Sequence, residues 1–115
     1  MSDTAAIPAN LTVAWGNVNP DGTLEDSSGN ILEVVKEATG TYLVKFSEHV
    51  FRGRPAFTVT QLHRQWNEFD FGDTYTTDNA VLVALSRTAA KVKTGDSGSK
   101  LQDRRFSFIA IGPAS

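Results

Sequence analysis

Short runs rich in Val, Ile, Leu, Phe, Tyr and Thr follow one another along the chain, and each is cut off by a cluster of Gly, Pro, Asn, Asp or Ser before it reaches the length of a stable helix. Such residues suit a pleated, half-buried surface, so the pattern predicts strands. The first run spans 12–18 and closes at Asn19-Pro20-Asp21-Gly22, where Pro presets one turn dihedral. Ser27-Ser28-Gly29-Asn30 supplies the next turn. Runs 31–37 and 42–46, joined by Ala38-Thr39-Gly40, form a hairpin pattern that sets Tyr42, Val44 and Phe46 on one face and Lys45 on the other. Further runs cover 56–62, 79–86, 89–94 and 105–111. The spacing predicts an all-β fold, an antiparallel β-sandwich of about six to seven strands over residues 12–113, preceded by a loose arm at 1–11.

Composition narrows the chemistry. Eleven Lys and Arg against thirteen Asp and Glu give a net charge of −2, so the basic surplus that nucleic acid requires is missing and no nucleic-acid partner is expected. The absence of cysteine excludes disulfides, thiolate metal sites and thiol nucleophiles. No stretch approaches the ~20 apolar residues of a membrane-spanning helix. The first residues, Met-Ser-Asp-Thr-Ala-Ala-Ile-Pro, lack the basic flank and apolar run of a secretory signal, so synthesis in the cytoplasm is expected and the final compartment is left open. A chain of 115 residues makes one domain that buries roughly two thirds of its unfolded surface.

Two of the runs are apolar on both faces. Val81, Val83 and Leu85 alternate with Leu82 and Ala84, while Phe106, Phe108 and Ala110 alternate with Ile109 and Ile111. Seven short strands build only two sheets, so a second covering layer has to come from elsewhere. A neighbouring subunit would supply it, giving a homo-oligomer with Leu82, Ala84, Ile109 and Ile111 near the shared surface. The alternative is that long loops cover these strands.

Motifs that resemble catalytic signatures lack their context. Gly95-Asp96-Ser97-Gly98-Ser99 resembles the surroundings of a serine nucleophile, but it lies in a Gly/Ser/Lys-rich turn without a base or a scaffold of sufficient size. Asp96-Ser97-Gly98 and Asp70-Phe71-Gly72 match protease and kinase triplets by letters alone. His49 and His63 stand apart without metal-ligand spacing, and Asn10-Leu11-Thr12 is a glycosylation sequon in form. The sequence therefore predicts no enzyme, no cofactor and no metal site.

The informative segment is the long connection 63–78. It concentrates Trp66, Phe69, Phe71 and Tyr75 with Arg64, Glu68, Asp70, Asp73 and Asp78. Long loops between strands are often functional, and this mixture suits a sugar: an aromatic face for the apolar C–H side of the ring, with acceptors and donors for its hydroxyls. The candidate ligand-binding residues are Arg64, Trp66, Asp70, Asp73 and Tyr75, with Trp66 stacking, Arg64 donating and the aspartates accepting. Two other readings stand beside it. The loop could plug the end of the core with its aromatics, or Asp70, Asp73 and Asp78 could offer oxygen ligands to Ca²⁺.

Four strings carry a resemblance: Gly16-Asn17-Val18-Asn19-Pro20-Asp21-Gly22-Thr23; Thr39-Gly40-Thr41-Tyr42-Leu43-Val44-Lys45-Phe46; Phe51 with Pro55 and Val59-Thr60; and Phe106-Ser107-Phe108-Ile109-Ala110-Ile111-Gly112. Together they resemble small β-sandwich modules at the C-terminal ends of bacterial and phage surface or tail-fibre proteins, and more distantly the H-type lectin domain. That resemblance implies a trimer and recognition of a glycan or cell surface; no sugar-binding residue is carried over from it. The expected function is a non-enzymatic, lectin-like recognition module. The alternative is a structural assembly domain without a small ligand.

Overall fold

The computed structural model describes residues 9–69 and 76–115, which form eight strands and no helix. They are β1 (Leu11–Val18), β2 (Leu24–Ser27), β3 (Ile31–Ala38), β4 (Thr41–Phe46), β5 (Ala56–Gln61), β6 (Asn79–Leu85), β7 (Ala89–Gly95) and β8 (Phe106–Pro113). Two four-stranded antiparallel sheets result, ordered β2-β1-β8-β5 and β3-β4-β7-β6, in a sandwich-like arrangement. The all-β class and the 31–46 hairpin follow the sequence pattern. The strand number is eight rather than six to seven, because β2 escapes a reading based on apolar periodicity. Leu-Glu-Asp-Ser carries one apolar side chain, Leu24, which packs on the core while the rest of this edge strand meets solvent.

Alternation in the remaining strands sorts side chains as the sequence pattern requires. Tyr42, Val44 and Phe46 from one sheet and Ala14, Val18, Phe106, Phe108 and Ala110 from the other are buried in one shared core. Aromatic rings knit the layers. Tyr42 meets Phe106 edge-on at 5.0 Å between centroids, and Phe57 stacks on Phe108 at 5.4 Å within the first sheet. Phe51, from the connection between β4 and β5, is buried and meets Phe46 edge-on at 5.1 Å. It closes the end of the core where β8 finishes, pairing with Ala114.

The outward faces of the two sheets differ in kind. On β3-β4-β7-β6 they carry ion pairs, Lys45–Glu33 at 3.2 Å and Lys91–Glu37 at 3.1 Å. On β2-β1-β8-β5, Val13, Ile111 and Ala56 form one row across three strands, and Trp15, Ile109 and Thr58 the next. Leu11 extends the patch beside Pro113, and Asn17, Ser107 and Thr60 make a third, polar row. On β1, β8 and β5 no charged side chain stands in these rows; on β2, Asp26 continues the third row and accepts from Asn17 Nδ2 at 2.6 Å. Leu11, Trp15, Ile109 and Ile111 are each between 36% and 41% exposed, so the patch faces solvent.

The four residues assigned to an oligomer surface therefore do not share one face. Ile109 and Ile111 lie outward on the first sheet, whereas Leu82 and Ala84 belong to the second. Leu82 packs against the core instead of facing outward. A bulge between Leu82 and Ala84 breaks the alternation of β6, so Leu82 and Leu85 both turn inward and Val81, Val83 and Ala84 are exposed. No helix among the described residues is long and apolar enough to cross a membrane.

Candidate functional site

The chain leaves β5 and β7, and enters β6 and β8, at one end of the sheets. Gln61, the last residue of β5, ties this end together: its Nε2 donates to the carbonyls of Asn79 at 2.5 Å and Gly95 at 3.0 Å, bridging from the first sheet to the second. The next residue, Leu62, donates its N–H to Arg105 O at 2.9 Å, which fixes the start of the long connection beside the start of β8. Two successive turns follow, Trp66 N–H to His63 O and Glu68 N–H to Gln65 O, each 2.9 Å. They carry Trp66 over the guanidinium of Arg105, whose Cζ lies 5.3 Å from the ring centroid.

Arg105 is held from below. Its Nη1 donates to Glu25 Oε1 on β2 at 2.7 Å and to Asn19 Oδ1 in the turn after β1. That turn is fixed by Asn19 N–H to Thr23 O at 2.8 Å, by Asn19 Nδ2 to Thr23 Oγ1 at 2.9 Å, and by the buried Tyr42, whose Oη donates to Pro20 O at 2.7 Å. Burial pushes the Tyr42 hydroxyl up to about 12, with the Asp103 carboxylate adding to the effect, so it stays a donor throughout the ordinary pH range. A chain of contacts thus runs from the core through Tyr42, Pro20, Asn19 and Arg105 to Trp66.

Trp66 is 43% exposed and Phe69 97%, so neither aromatic plugs the core; Phe51 closes the opposite end instead. Arg64 is exposed and makes no ion pair among the described residues. Asp70, Asp73 and Tyr75 lie outside the described residues, and with them the Ca²⁺ reading that used Asp70 and Asp73. Among the described residues no group of three or more His, Asp or Glu side chains is placed to hold a metal ion. Sequence reasoning did not assign Arg105, Glu25 and Asn19 to the site. The Arg104-Arg105 pair was the available signal, but its meeting with Trp66 depends on β5 and β8 being neighbours, which local sequence does not encode.

On the other side of this end, three carboxylates serve as loop anchors. Asp103 accepts Gly40 N–H at 2.8 Å through Oδ1 and pairs with Lys36 at 2.8 Å through Oδ2, and the Lys36 ammonium followed by the Gly40 N–H holds its carboxyl below the ordinary range. Asp96 is held down chiefly by the N–H groups of Lys100 and Gly98, and Asp21 by the hydroxyl and N–H of Thr23. Each folded value is depressed, so the stability these groups contribute is complete above the unfolded value near ~4 and is lost as pH falls through the folded values. The melting temperature is therefore expected to hold between neutrality and about pH 5 and to fall below about pH 4. Asp103→Asn keeps an acceptor for Gly40 but loses Lys36; it is expected to cost about 1 kcal/mol or less at pH 7 and to flatten the acid limb, as read by melting curves across pH.

No family model matches the chain, and neither a curated protein nor a solved structure matches it. The class that the fold and this end define is an all-β protein of two four-stranded antiparallel sheets, presenting a tryptophan–arginine platform on its loops.

Proposed function

We propose that the chain is a non-enzymatic recognition module of the β-sandwich type that binds carbohydrate or a related surface ligand through Trp66. The observation that carries this reading is the exposed indole seated on Arg105, itself held by Glu25 and Asn19. One ring face rests on the guanidinium and the residue is 43% exposed, which offers a preorganised flat surface for the C–H face of a sugar. Arg64, exposed and without an ion pair among the described residues, is the nearby donor for hydroxyls. The lectin-like resemblance of the sequence adds to the same reading.

The test is saccharide titration followed by tryptophan emission in a Trp15→Phe background, with ligands chosen from a glycan array. Wild type is expected to bind at least one glycan, and Trp66→Ala to weaken that binding by ~10-fold or more, the equivalent of about 1.4 kcal/mol. Equal binding by the variant, or an array without a hit, removes the site.

A second reading, an assembly domain that forms a homo-oligomer such as a trimer, is favoured by the uncharged outward face of β1, β8 and β5. The two readings are compatible, since several weak sites on one oligomer gain by avidity. Ile109→Asp with Ile111→Asp sets carboxylates into the centre of that face while leaving the core untouched. Light scattering is expected to give a multiple of 12.5 kDa for the wild type and the single-chain mass for the variant. A wild-type monomer ends this reading.

A further inference from the structure

Of the five lysines in the chain, three are paired: Lys36 with Asp103, Lys45 with Glu33 and Lys91 with Glu37. The other two, Lys93 and Lys100, have no carboxylate partner among the described residues, and both line one cleft of about 270 Å³. The cleft lies between the start of β6 and the connection from β7 to β8, and Thr77, Asn79 and Ser99 complete its polar wall. Asn79 Oδ1 accepts the N–H of Ala80 at 2.8 Å, which leaves the Asn79 amide N–H groups as donors. The carboxylate in the wall, Asp96, is turned into its own loop. Its Oδ1 accepts from Gly98 N–H and Lys100 N–H at 2.9 and 3.0 Å, and its Oδ2 from Gln102 Nε2 at 3.2 Å. Both oxygens of Asp96 are thus bonded within its own loop, which the carboxylate shapes, and it pairs with neither lysine, so the two ammonium charges outnumber the one carboxylate of the lining.

We propose that this cleft is the subsite for the carboxylate of an acidic sugar. Two ammonium groups with neutral amide and hydroxyl donors suit an oxyanion. The volume lies just under the ~300 Å³ at which pockets for drug-sized ligands begin, which fits one sugar ring. The assignment to a sugar rests on the reading of Trp66 as a stacking platform. Both features are built at the same end of the sheets, on either side of the Gln61 bridge, whose carbonyl partners Asn79 and Gly95 themselves line the cleft. A glycan stacked on Trp66 has a neighbouring place for an acidic unit.

Glucuronate and glucose, which differ in charge at one carbon, are the probes, followed by NMR of backbone amides and of the indole N–H groups. Glucuronate is expected to shift amides of residues 77–101 with an affinity at least tenfold above that of glucose, and Lys93→Gln with Lys100→Gln to abolish that difference while the melting temperature is kept. Equal binding of the two sugars, or unchanged glucuronate binding by the double variant, overturns the subsite. Inorganic sulfate binding as tightly as glucuronate reassigns the cleft to a free oxyanion and overturns the sugar. A hexaglutamate peptide that competes more strongly than glucuronate does the same in favour of an acidic protein segment. The Trp66 indole reports on the platform by itself: cleft shifts with a silent indole defeat the stacking reading and leave an anion site, whereas indole shifts without cleft shifts defeat the subsite alone.

Discussion

Replacing Tyr42 with alanine is expected to lower stability by about 4 kcal/mol, a large share of the ~5–15 kcal/mol that holds a domain of this size folded. The ring is fully buried, packs edge-on against Phe106 at 5.0 Å and joins the two sheets, so its removal leaves a cavity that rigid strands on both sides fill poorly. Tyr42→Phe separates the hydroxyl from the ring. It keeps the packing and loses the hydrogen bond to Pro20 O, at an expected cost of about 1 kcal/mol. Denaturant unfolding measures both. The phenylalanine variant carries the further consequence, because the hydroxyl anchors the turn whose Asn19 accepts from Arg105. Loosening that turn is expected to weaken ligand binding at Trp66 in a protein that remains folded. A stability loss for Tyr42→Phe as large as for Tyr42→Ala would show that the hydroxyl bond to Pro20 O, not the packing of the ring, carries the stabilisation.

Tyr42, Val44 and Phe46 show what local sequence does encode. Strict alternation fixes which side chains point together, and with the turn residues around them it delivers the hairpin, the inward face and the all-β class. Strand partners beyond the hairpin are another matter. Ile109 and Leu82 looked equivalent because both sit in runs apolar on two faces, yet they belong to different sheets; Leu82 faces inward with Ala80, and one bulge residue after it turns Ala84 outward and Leu85 inward. A bulge has no periodicity of its own to read. Likewise β2 is a strand because β1 offers it an edge, not because Leu-Glu-Asp-Ser prefers one.

The candidate sites divide along the same line. Trp66 and Arg64 were legible because an aromatic and a cation in a long loop are unusual for their own sakes. Arg105, Glu25 and Asn19 became part of the site through contacts that span 80 and 86 positions, and sequence order gives no hint of these. Lys93 and Lys100 were visible only as members of a solvated strand and a turn. Their meaning lies in the pairing of every other lysine and in the way Asp96 is spent on its own loop, facts of three dimensions. The Gly-Asp-Ser-Gly string that imitates a catalytic motif is explained by this geometry: the aspartate caps a turn, and the glycines give it room.

Among the described glycines, Gly40→Ala is expected to be strongly damaging, at about 3 kcal/mol or more, because two costs coincide there. Gly40 has φ +62°, where a side chain costs roughly 1–2 kcal/mol, and an added Cβ would stand 2.6 Å from Thr94 O, 2.9 Å from Gln102 O and 3.0 Å from Gln102 N. These are backbone atoms, so nothing can swing aside. The chain around them is clamped by Thr94 N–H to Gly40 O at 2.8 Å, Gly40 N–H to Asp103 Oδ1 at 2.8 Å and Gln102 N–H to Thr94 O at 3.1 Å. Making room therefore means breaking some of these bonds and moving the 102–103 segment. Gly29→Ala is the control. Its φ of +88° carries a conformational cost, but no atom lies within 4 Å of the added Cβ, so it is expected to lose only about 1 kcal/mol. The difference between the two variants in denaturant unfolding isolates the steric part, and equal losses would mean that the 102–103 segment yields freely. If the segment is as rigid as its bonds imply, the damage reaches both candidate sites. Gln102 supports Asp96 at the lysine cleft, and Asp103 precedes by two residues Arg105, the residue beneath Trp66. A Gly40→Ala protein refolded at low temperature should then lose platform and cleft binding together, whereas Lys93→Gln with Lys100→Gln removes the cleft alone.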